Sequence, residues 1–187
     1  MAYLDDSLAH LEYFENSIAW MYRDTRGFVT VGVGEMLANA ARAQSIAFVD
    51  ASNQVAGPSA ILADYNRVLA LAPAKVPSFY RAANSVVLPQ SEIDSLLMNH
   101  LNFFDRQLGQ QFANFAGFPD AAKLGLLDMI FNLGATGLFK GYPTLMGYVQ
   151  KQSWTAAAGE CHRNGPNAER NEWTRQQFLD AATAAKG

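Results

Sequence analysis

The sequence predicts an α+β domain that is mostly helical and carries a small β-sheet near its N-terminus. A period-two run over residues 26–34 is typical of short strands. Segments with helical periodicity fill most of the chain after it. Half of the 187 residues are hydrophobic and 12% are aromatic, which is enough for a folded core and excludes a disordered chain.

Charge and cysteine content exclude several classes of function. The net charge is −3, so no basic field indicates binding to nucleic acid or to anionic lipid. Cys161 is the single cysteine and cannot form an intramolecular disulfide. The N-terminus lacks the basic and apolar regions of a secretory signal, and we expect no apolar stretch to span a membrane. Synthesis in the cytoplasm without a signal peptide is therefore expected.

The first element is predicted to be a helix over residues 4–22. Its apolar positions share one narrow stripe, and they are Leu4, Leu8, Leu11, Ile18 and Tyr22. Glu15 falls in the middle of that stripe. A carboxylate on a core-facing stripe is costly to ionise, so we expect its pKa to be raised.

The next elements follow in order along the chain. Residues 26–34 are predicted to form a strand pair, with Asp24-Thr25-Arg26-Gly27 as a turn. Residues 35–48 and 58–72 have helical patterns, and a longer helix is predicted from Pro89 to about Phe115 with Ser91 as its N-cap. Another helix begins near Asp120 and stops at Gly134. Two more helices are predicted on either side of the turn at residues 163–167.

The spacing of Glu15, Asp24 and Thr30 indicates a chemistry. Glycoside hydrolysis needs one carboxyl group held protonated and one carboxylate kept ionised near an oxocarbenium-like transition state. Glu15 in an apolar stripe suits the first role, and Asp24 in a polar turn suits the second. Thr30 on the strand could hold the attacking water beside Asp24.

These residues, together with the stretch "YRDTRGFVTVGVG", resemble the phage-type lysozymes of the T-even bacteriophages and their relatives. The resemblance implies a single two-lobed domain over residues 1–187. Its N-terminal lobe would cover about 1–88, its connecting helix about 89–115 and its helical C-terminal lobe about 116–187. The implied activity is that of a muramidase, which cleaves the β-1,4 bond between N-acetylmuramic acid and N-acetylglucosamine in bacterial peptidoglycan, generally with inversion and without a metal or organic cofactor.

The resemblance resumes downstream in "LLDMIFNLGATGLFKGYPTL" and "SWTAAA". By this match Phe131 and Asn132 would face the saccharide, with Met36 as a further substrate-binding residue. The stretch "PNAERNEWTRQQF" is similar to the family's arginine-bearing helix, which makes Arg170 the candidate partner of Glu15. A guanidinium there would favour the ionised acid and oppose the effect of burial.

The chain departs from the family pattern at four places. The family usually has His after G-x-G, where this chain has Glu35, and the matching acidic position of the long helix is His100. We interpret this as an acid–His pair with exchanged positions that still ties the sheet to the helix. Residues 38–88 are much longer than the family's equivalent and form an insertion. The segment around 161–167 is shorter.

Structural explanations exist for each candidate residue. Asp favours turns, Thr favours strands, Arg170 could be a surface charge and His100 a core histidine. Glu160, Cys161 and His162 are consecutive and cannot converge on one metal. A lysozyme-like module that binds peptidoglycan without cutting it is the alternative function. Delivery by holin pores as a phage endolysin, or by dedicated secretion as an antibacterial effector with a cognate immunity protein, also stays open.

Overall fold

The computed structural model describes residues 2–185 and confirms the predicted class. It is 62% helical and contains a three-stranded antiparallel sheet in the order β1-β2-β3. The strands are β1 Ile18–Arg23, β2 Val29–Gly32 and β3 Glu35–Met36. The helices are α1 Ala2–Phe14, α2 Ala40–Gln44, α3 Pro58–Ala70, α4 Gln90–Gln111, α5 Asp120–Gly141, α6 Pro143–Gln150, α7 Trp154–Glu160 and α8 Ala168–Ala184. Short 3-10 helices lie at Pro77–Tyr80 and Phe115–Gly117.

The chain groups into two compact units. The sheet unit is the continuous segment Glu15–Leu97. The helical unit comprises residues 2–14 and 98–185, so α1 belongs with the C-terminal helices, and α4 contributes its first part to one unit and the rest to the other. The first helix was expected in the N-terminal lobe. In the structure α1 packs on α5, a contact between segments far apart in sequence that local patterns do not indicate.

The prediction of one helix over residues 4–22 is wrong after Phe14. Helix α1 ends there, and Ile18–Arg23 forms β1, which pairs with β2. The sequence of β1, IAWMYR, is rich in β-branched and aromatic residues, and its backbone hydrogen bonds go to β2. Ile18 and Tyr22 share a helical spacing with Leu11 only by coincidence. Glu15 therefore lies beyond the helix, half-buried, and does not sit on an apolar helix stripe.

Residues 38–88 build most of the core of the sheet unit. One sheet face places Met21, Val29 and Val31 in this core. The inserted segment supplies Ala43, Ile46, Phe48, Ala56, Ile61, Tyr65, Val68, Tyr80, Val86 and Leu88. It also extends the edge of β1, because Val87 bridges to Trp20 and the Leu88 N–H donates to the Ala19 carbonyl at 2.6 Å. The insertion is thus integral to the packing of its unit.

A buried ion pair fixes the end of this segment onto α3. Asp64, 5% exposed, accepts from Arg67 at 2.7 Å and from the Val86 N–H at 3.0 Å. The same guanidinium donates to the Tyr80 carbonyl at 2.7 Å and to the Ser85 hydroxyl at 3.0 Å. The segment between α3 and α4, which has only a short 3-10 helix, is held in place by this network.

The helical unit is built around α5, which packs against α1, α6 and α8. Helix α5 is interrupted at Gly134, whose backbone is non-helical at φ 68° and ψ 164°. The predicted stop at Gly134 is therefore a break, and helical geometry resumes up to Gly141. By length and composition α5 could cross a membrane, but half of its apolar window is buried in the protein, as in a core helix.

Other helix boundaries differ from the prediction for local reasons. The predicted helix over 35–48 shrinks to α2, because Glu35 and Met36 pair with β2. Helix α4 begins at Gln90, so Ser91 lies inside it and is not its N-cap. The helix predicted before the turn at 163–167 is split into α6 and α7, with Gln152 between them at φ 52°.

Candidate functional site

The two faces of the sheet have different characters. Residues directly opposite each other in antiparallel strands project to the same face. In this register Tyr22 faces Thr30, and Thr30 faces Met36 across the next pair. Tyr22 is half-buried, Thr30 is 3% exposed and Met36 is 41% exposed. The face that does not carry Val29 and Val31 to the core is therefore lined by Tyr22, Thr30 and Met36, with Thr30 between the other two.

Asp24 occupies the predicted turn, which the structure places between β1 and β2. Its Oδ1 accepts from the backbone N–H groups of Arg26 at 2.9 Å and Phe28 at 2.8 Å. Gly27, at φ 88°, completes the turn and donates its N–H to the Asp24 carbonyl at 3.0 Å. Asp24 Oδ2 makes only a loose contact, 3.6 Å from the exposed Arg26 Nε. One carboxylate oxygen thus holds the turn, and the other remains available to a water molecule.

The same turn recurs at Asp50, within the insertion. Asp50 Oδ1 accepts from the N–H groups of Ser52 at 2.8 Å and Gln54 at 3.1 Å. Asn53 takes the place of the glycine at φ 58°, and its N–H donates to the Asp50 carbonyl at 3.0 Å. The geometry of the Asp24 turn is therefore explained by folding alone. What distinguishes Asp24 from Asp50 is its surroundings.

Those surroundings bring Glu15 and Asp24 to the same tyrosine. Burial raises the pKa of the Tyr22 phenol, and the negative charges of Asp24 and Glu15 raise it further. Both carboxylates are therefore close enough to Tyr22 to act on its ionisation, and Thr30 is its direct partner across the strands. Tyr22 is thus linked to all three predicted catalytic residues, to Thr30 by strand pairing and to Asp24 and Glu15 by the effect of their charges.

The Thr30 hydroxyl has a defined hydrogen bond. It donates to the Phe28 carbonyl at 3.3 Å. A threonine hydroxyl has one hydrogen to donate and two lone pairs. Its lone pairs therefore remain for a water molecule, which would be almost enclosed because the residue is 3% exposed.

Glu35 has a partner that the sequence analysis missed. Its Oε1 accepts from Arg42 Nη2 at 2.7 Å and from Arg42 Nε at 3.0 Å, a forked pair between β3 and α2. In the sheet Glu35 stands opposite Val31, whereas the neighbouring Met36 stands opposite Thr30. His100 lies in α4 and belongs to the helical unit. The proposed pairing of Glu35 with His100 stays a prediction.

Arg170 is 5% exposed, so it is not a surface charge. Its Nε donates to Asp128 Oδ1 at 2.7 Å. Asp128 Oδ2 accepts from Arg163 at 2.5 Å and from the Thr174 hydroxyl at 2.7 Å, and His10 Nε2 lies 3.2 Å from Oδ1. Burial raises the pKa of Asp128, but the hydrogen bond with His10 and the charges of both arginines outweigh it, so its pKa lies well below the ordinary value. The pairing of Arg170 with Glu15 stays a prediction.

Sequence reasoning missed Asp128 although a signal was present. The residue stands in the apolar run "LGLLDMIFNL", and its side chain is 1% exposed. An acidic residue within an apolar helical run is expected to be buried, and this expectation applies to Asp128 and not to Glu15. Its partner Arg163 lies in the turn before α8, where local pattern gives no hint of burial.

The two predicted substrate-binding residues of α5 precede its break at Gly134. Phe131 is half-buried, with its ring centroid 6.2 Å from that of Phe104 in an edge-to-face arrangement. Asn132 is exposed. Their role toward a saccharide stays a prediction. Within residues 2–185 no group of three or more His, Cys, Asp or Glu side chains could hold a metal ion.

Comparison with known proteins identifies no relative. The chain matches no protein-family model, and no curated protein is significantly similar to it. The assignment of a function therefore depends on the residues and their geometry.

Proposed function

We propose that the protein is a peptidoglycan muramidase, a glycoside hydrolase that cleaves the bond between N-acetylmuramic acid and N-acetylglucosamine. The observation that carries the proposal is that Tyr22 lies opposite Thr30 across the strands and that the charges of Asp24 and Glu15 raise the pKa of its phenol. Inverting glycoside hydrolysis requires two carboxyl groups, one as general acid and one as the base that activates a water molecule. The resemblance of the same three residues to those of the phage-type lysozymes indicates peptidoglycan as the substrate.

Each residue has a separate role in the proposed reaction. The Glu15 carboxyl donates its proton to the glycosidic oxygen while the bond from the anomeric carbon to that oxygen breaks. A water molecule between Asp24 Oδ2 and the Thr30 hydroxyl forms the new bond to the anomeric carbon. The water gives its proton to Asp24. Attack from the opposite side to the leaving group inverts the anomeric configuration.

The test is the release of reducing ends from purified peptidoglycan. Glu15→Gln and Asp24→Asn are each expected to lower the rate by about 10²–10⁴-fold, the usual value of acid–base assistance. Asparagine at position 24 keeps an oxygen that can accept the turn's two N–H bonds, so the fold should persist. The matched control is Asp50→Asn, which makes the same change in the same kind of turn and should retain full activity.

The outcomes separate the proposal from the alternatives. Equal loss in Asp24→Asn and Asp50→Asn would show that the turn matters and not the catalytic carboxylate. Binding of peptidoglycan without any release of reducing ends by the unmodified protein would favour the non-cutting module. A product with retained anomeric configuration, detected by NMR at early times, would contradict the water-attack mechanism. As a muramidase the protein would serve as a phage endolysin or as an antibacterial effector paired with an immunity protein.

A further inference from the structure

A groove of about 520 Å³ opens on the helical unit, among residues that the proposed reaction does not use. Helix α1 lines it with Asp6 and Tyr13, and helix α8 with Glu169, Trp173 and Gln177. These positions recur at intervals of four or seven residues along each helix, so each set lies on one helical face. The two faces therefore form opposing walls.

Aromatic rings supply part of the groove surface. The Tyr13 ring is 72% exposed. Trp173 is held by stacking on the His10 ring at a centroid distance of 3.4 Å and an interplanar angle of 20°. His10 is itself fixed by its contact with Asp128 at 3.2 Å. The indole is thus positioned by a buried network and does not depend on a ligand for its place.

The titratable acidic and basic side chains that line the groove are Asp6, Glu169 and His10, of which His10 contacts Asp128. Asp6 and Glu169 are exposed, and no lysine or arginine lines the groove. Within residues 2–185 neither carboxylate forms an ion pair, and Glu169 accepts a hydrogen bond from the Tyr13 hydroxyl at 3.2 Å. By contrast, Asp120 and Glu172, two other exposed acids of this unit, are paired with Lys123 and Arg175.

We infer that this groove binds an organic cation, with an ammonium group against the Tyr13 and Trp173 rings and with the Asp6 and Glu169 carboxylates lining the groove. Aromatic faces attract ammonium groups through their quadrupoles, and aromatic cages recognise quaternary ammonium in this way. Two carboxylates without a protein counter-ion add a negative potential that a neutral ligand would not use. Glu15, Asp24 and Thr30 are not among the residues that line the groove, so the inference does not depend on the proposed reaction.

The experiment follows the indole N–H of Trp173 by NMR in the full chain, with its signal assigned by comparison with Trp173→Phe. Choline chloride is the probe. Its neutral isostere 3,3-dimethylbutan-1-ol, added with matched sodium chloride, has the same shape without the charge. We expect choline to move the signal saturably and the alcohol to bind at least about tenfold more weakly.

Two charge-matched variants locate the binding. Asp6→Asn combined with Glu169→Gln should weaken choline binding about tenfold. Asp5→Asn combined with Glu172→Gln changes the net charge equally on the same two helices but spares the groove, and its affinity should stay within about twofold. All four side chains are exposed, so both variants should fold.

Three results would overturn the inference. One is a choline affinity no greater than that of the alcohol. Another is an equal loss in the two double variants, which would indicate a general effect of net charge. The third is a Trp173 signal that responds to chitotriose and not to choline, which would make the groove a neutral saccharide site.

Discussion

Replacing Asp128 by asparagine is expected to destabilise the helical unit strongly. The carboxylate is 1% exposed and accepts from Arg163, Arg170 and Thr174 while it contacts His10. The variant leaves two buried guanidinium groups beside a neutral amide. Removal of one partner from a buried ion pair typically costs about 3–5 kcal/mol. Domains of this size change their melting temperature by about 2–4 °C per kcal/mol, so a decrease of roughly 6–20 °C is expected.

Thermal and urea denaturation, followed by circular dichroism, measure this loss. Asp180→Asn is the control, because Asp180 lies on the same α8 helix as Thr174 but is partly exposed and makes a surface hydrogen bond with Gln176. That control should stay within about 0.5 kcal/mol of the unmodified protein. A loss below about 1 kcal/mol in Asp128→Asn would refute the reasoning, since it would mean that the arginines are solvated without the carboxylate.

The same carboxylate predicts a dependence of stability on pH. The pKa of Asp128 is lower in the folded chain than its unfolded value of about 3.9. As the pH falls below about 4, the unfolded chain takes up the proton first, so the free energy of unfolding decreases toward the folded pKa. Above that range the contribution is fully present. Asp128→Asn should lack this part of the acid dependence in urea titrations at pH 2.5–6, and an unchanged pH profile would contradict the assignment.

Three further predictions concern the sheet unit. Asp64→Ala removes a buried acceptor and should cost about 2–4 kcal/mol, with faster proteolysis between α3 and α4 as the readout. Gly27→Ala places a Cβ on a residue with φ 88°, 3.2 Å from a guanidinium nitrogen. It should lower the free energy of unfolding by about 1–2 kcal/mol, as measured by thermal denaturation. Gly57→Ala, with open space around the added Cβ, should be nearly neutral. The raised pKa of Tyr22 should fall when either Glu15 or Asp24 is neutralised, as followed by NMR titration of the ring, and an unchanged value would separate the carboxylates from the tyrosine.

Local chemistry was readable from the sequence, and long-range partners were not. The Asp24–Gly27 turn was predicted because a turn aspartate and a glycine with positive φ are close in sequence. Strand β1 was missed because its backbone partner, β2, lies beyond the turn and the apolar spacing of Ile18 and Tyr22 also fits a helix. Because that spacing extended the predicted helix through residue 15, Glu15 was predicted to be a buried carboxylate. Asp128, which is almost fully buried, depends on Arg163, 35 positions away.

The insertion shows a related limit. Family comparison marked residues 38–88 as additional and left their role open. Their pattern predicted helices, of which α3 is observed at the expected place. The pattern did not show that the segment fills the core under the sheet, because Phe48 and Tyr80 lie outside regular strands and long helices. The stability of the candidate site is therefore tied to a segment that the resemblance treats as extra.

Substitutions at Thr30 can separate an effect on stability from an effect on activity. Thr30→Val keeps the branched shape that suits a central strand and removes the hydroxyl. The Phe28 carbonyl loses the Thr30 donor at 3.3 Å but keeps the Asp24 N–H at 2.9 Å, so stability should change by no more than about 1 kcal/mol. Reducing-end release should nevertheless fall by at least about tenfold if the hydroxyl holds the attacking water. Thr30→Ser keeps the hydroxyl and should retain most of the activity. A fully active valine variant would reduce Thr30 to a strand residue and leave Asp24 alone to position the water.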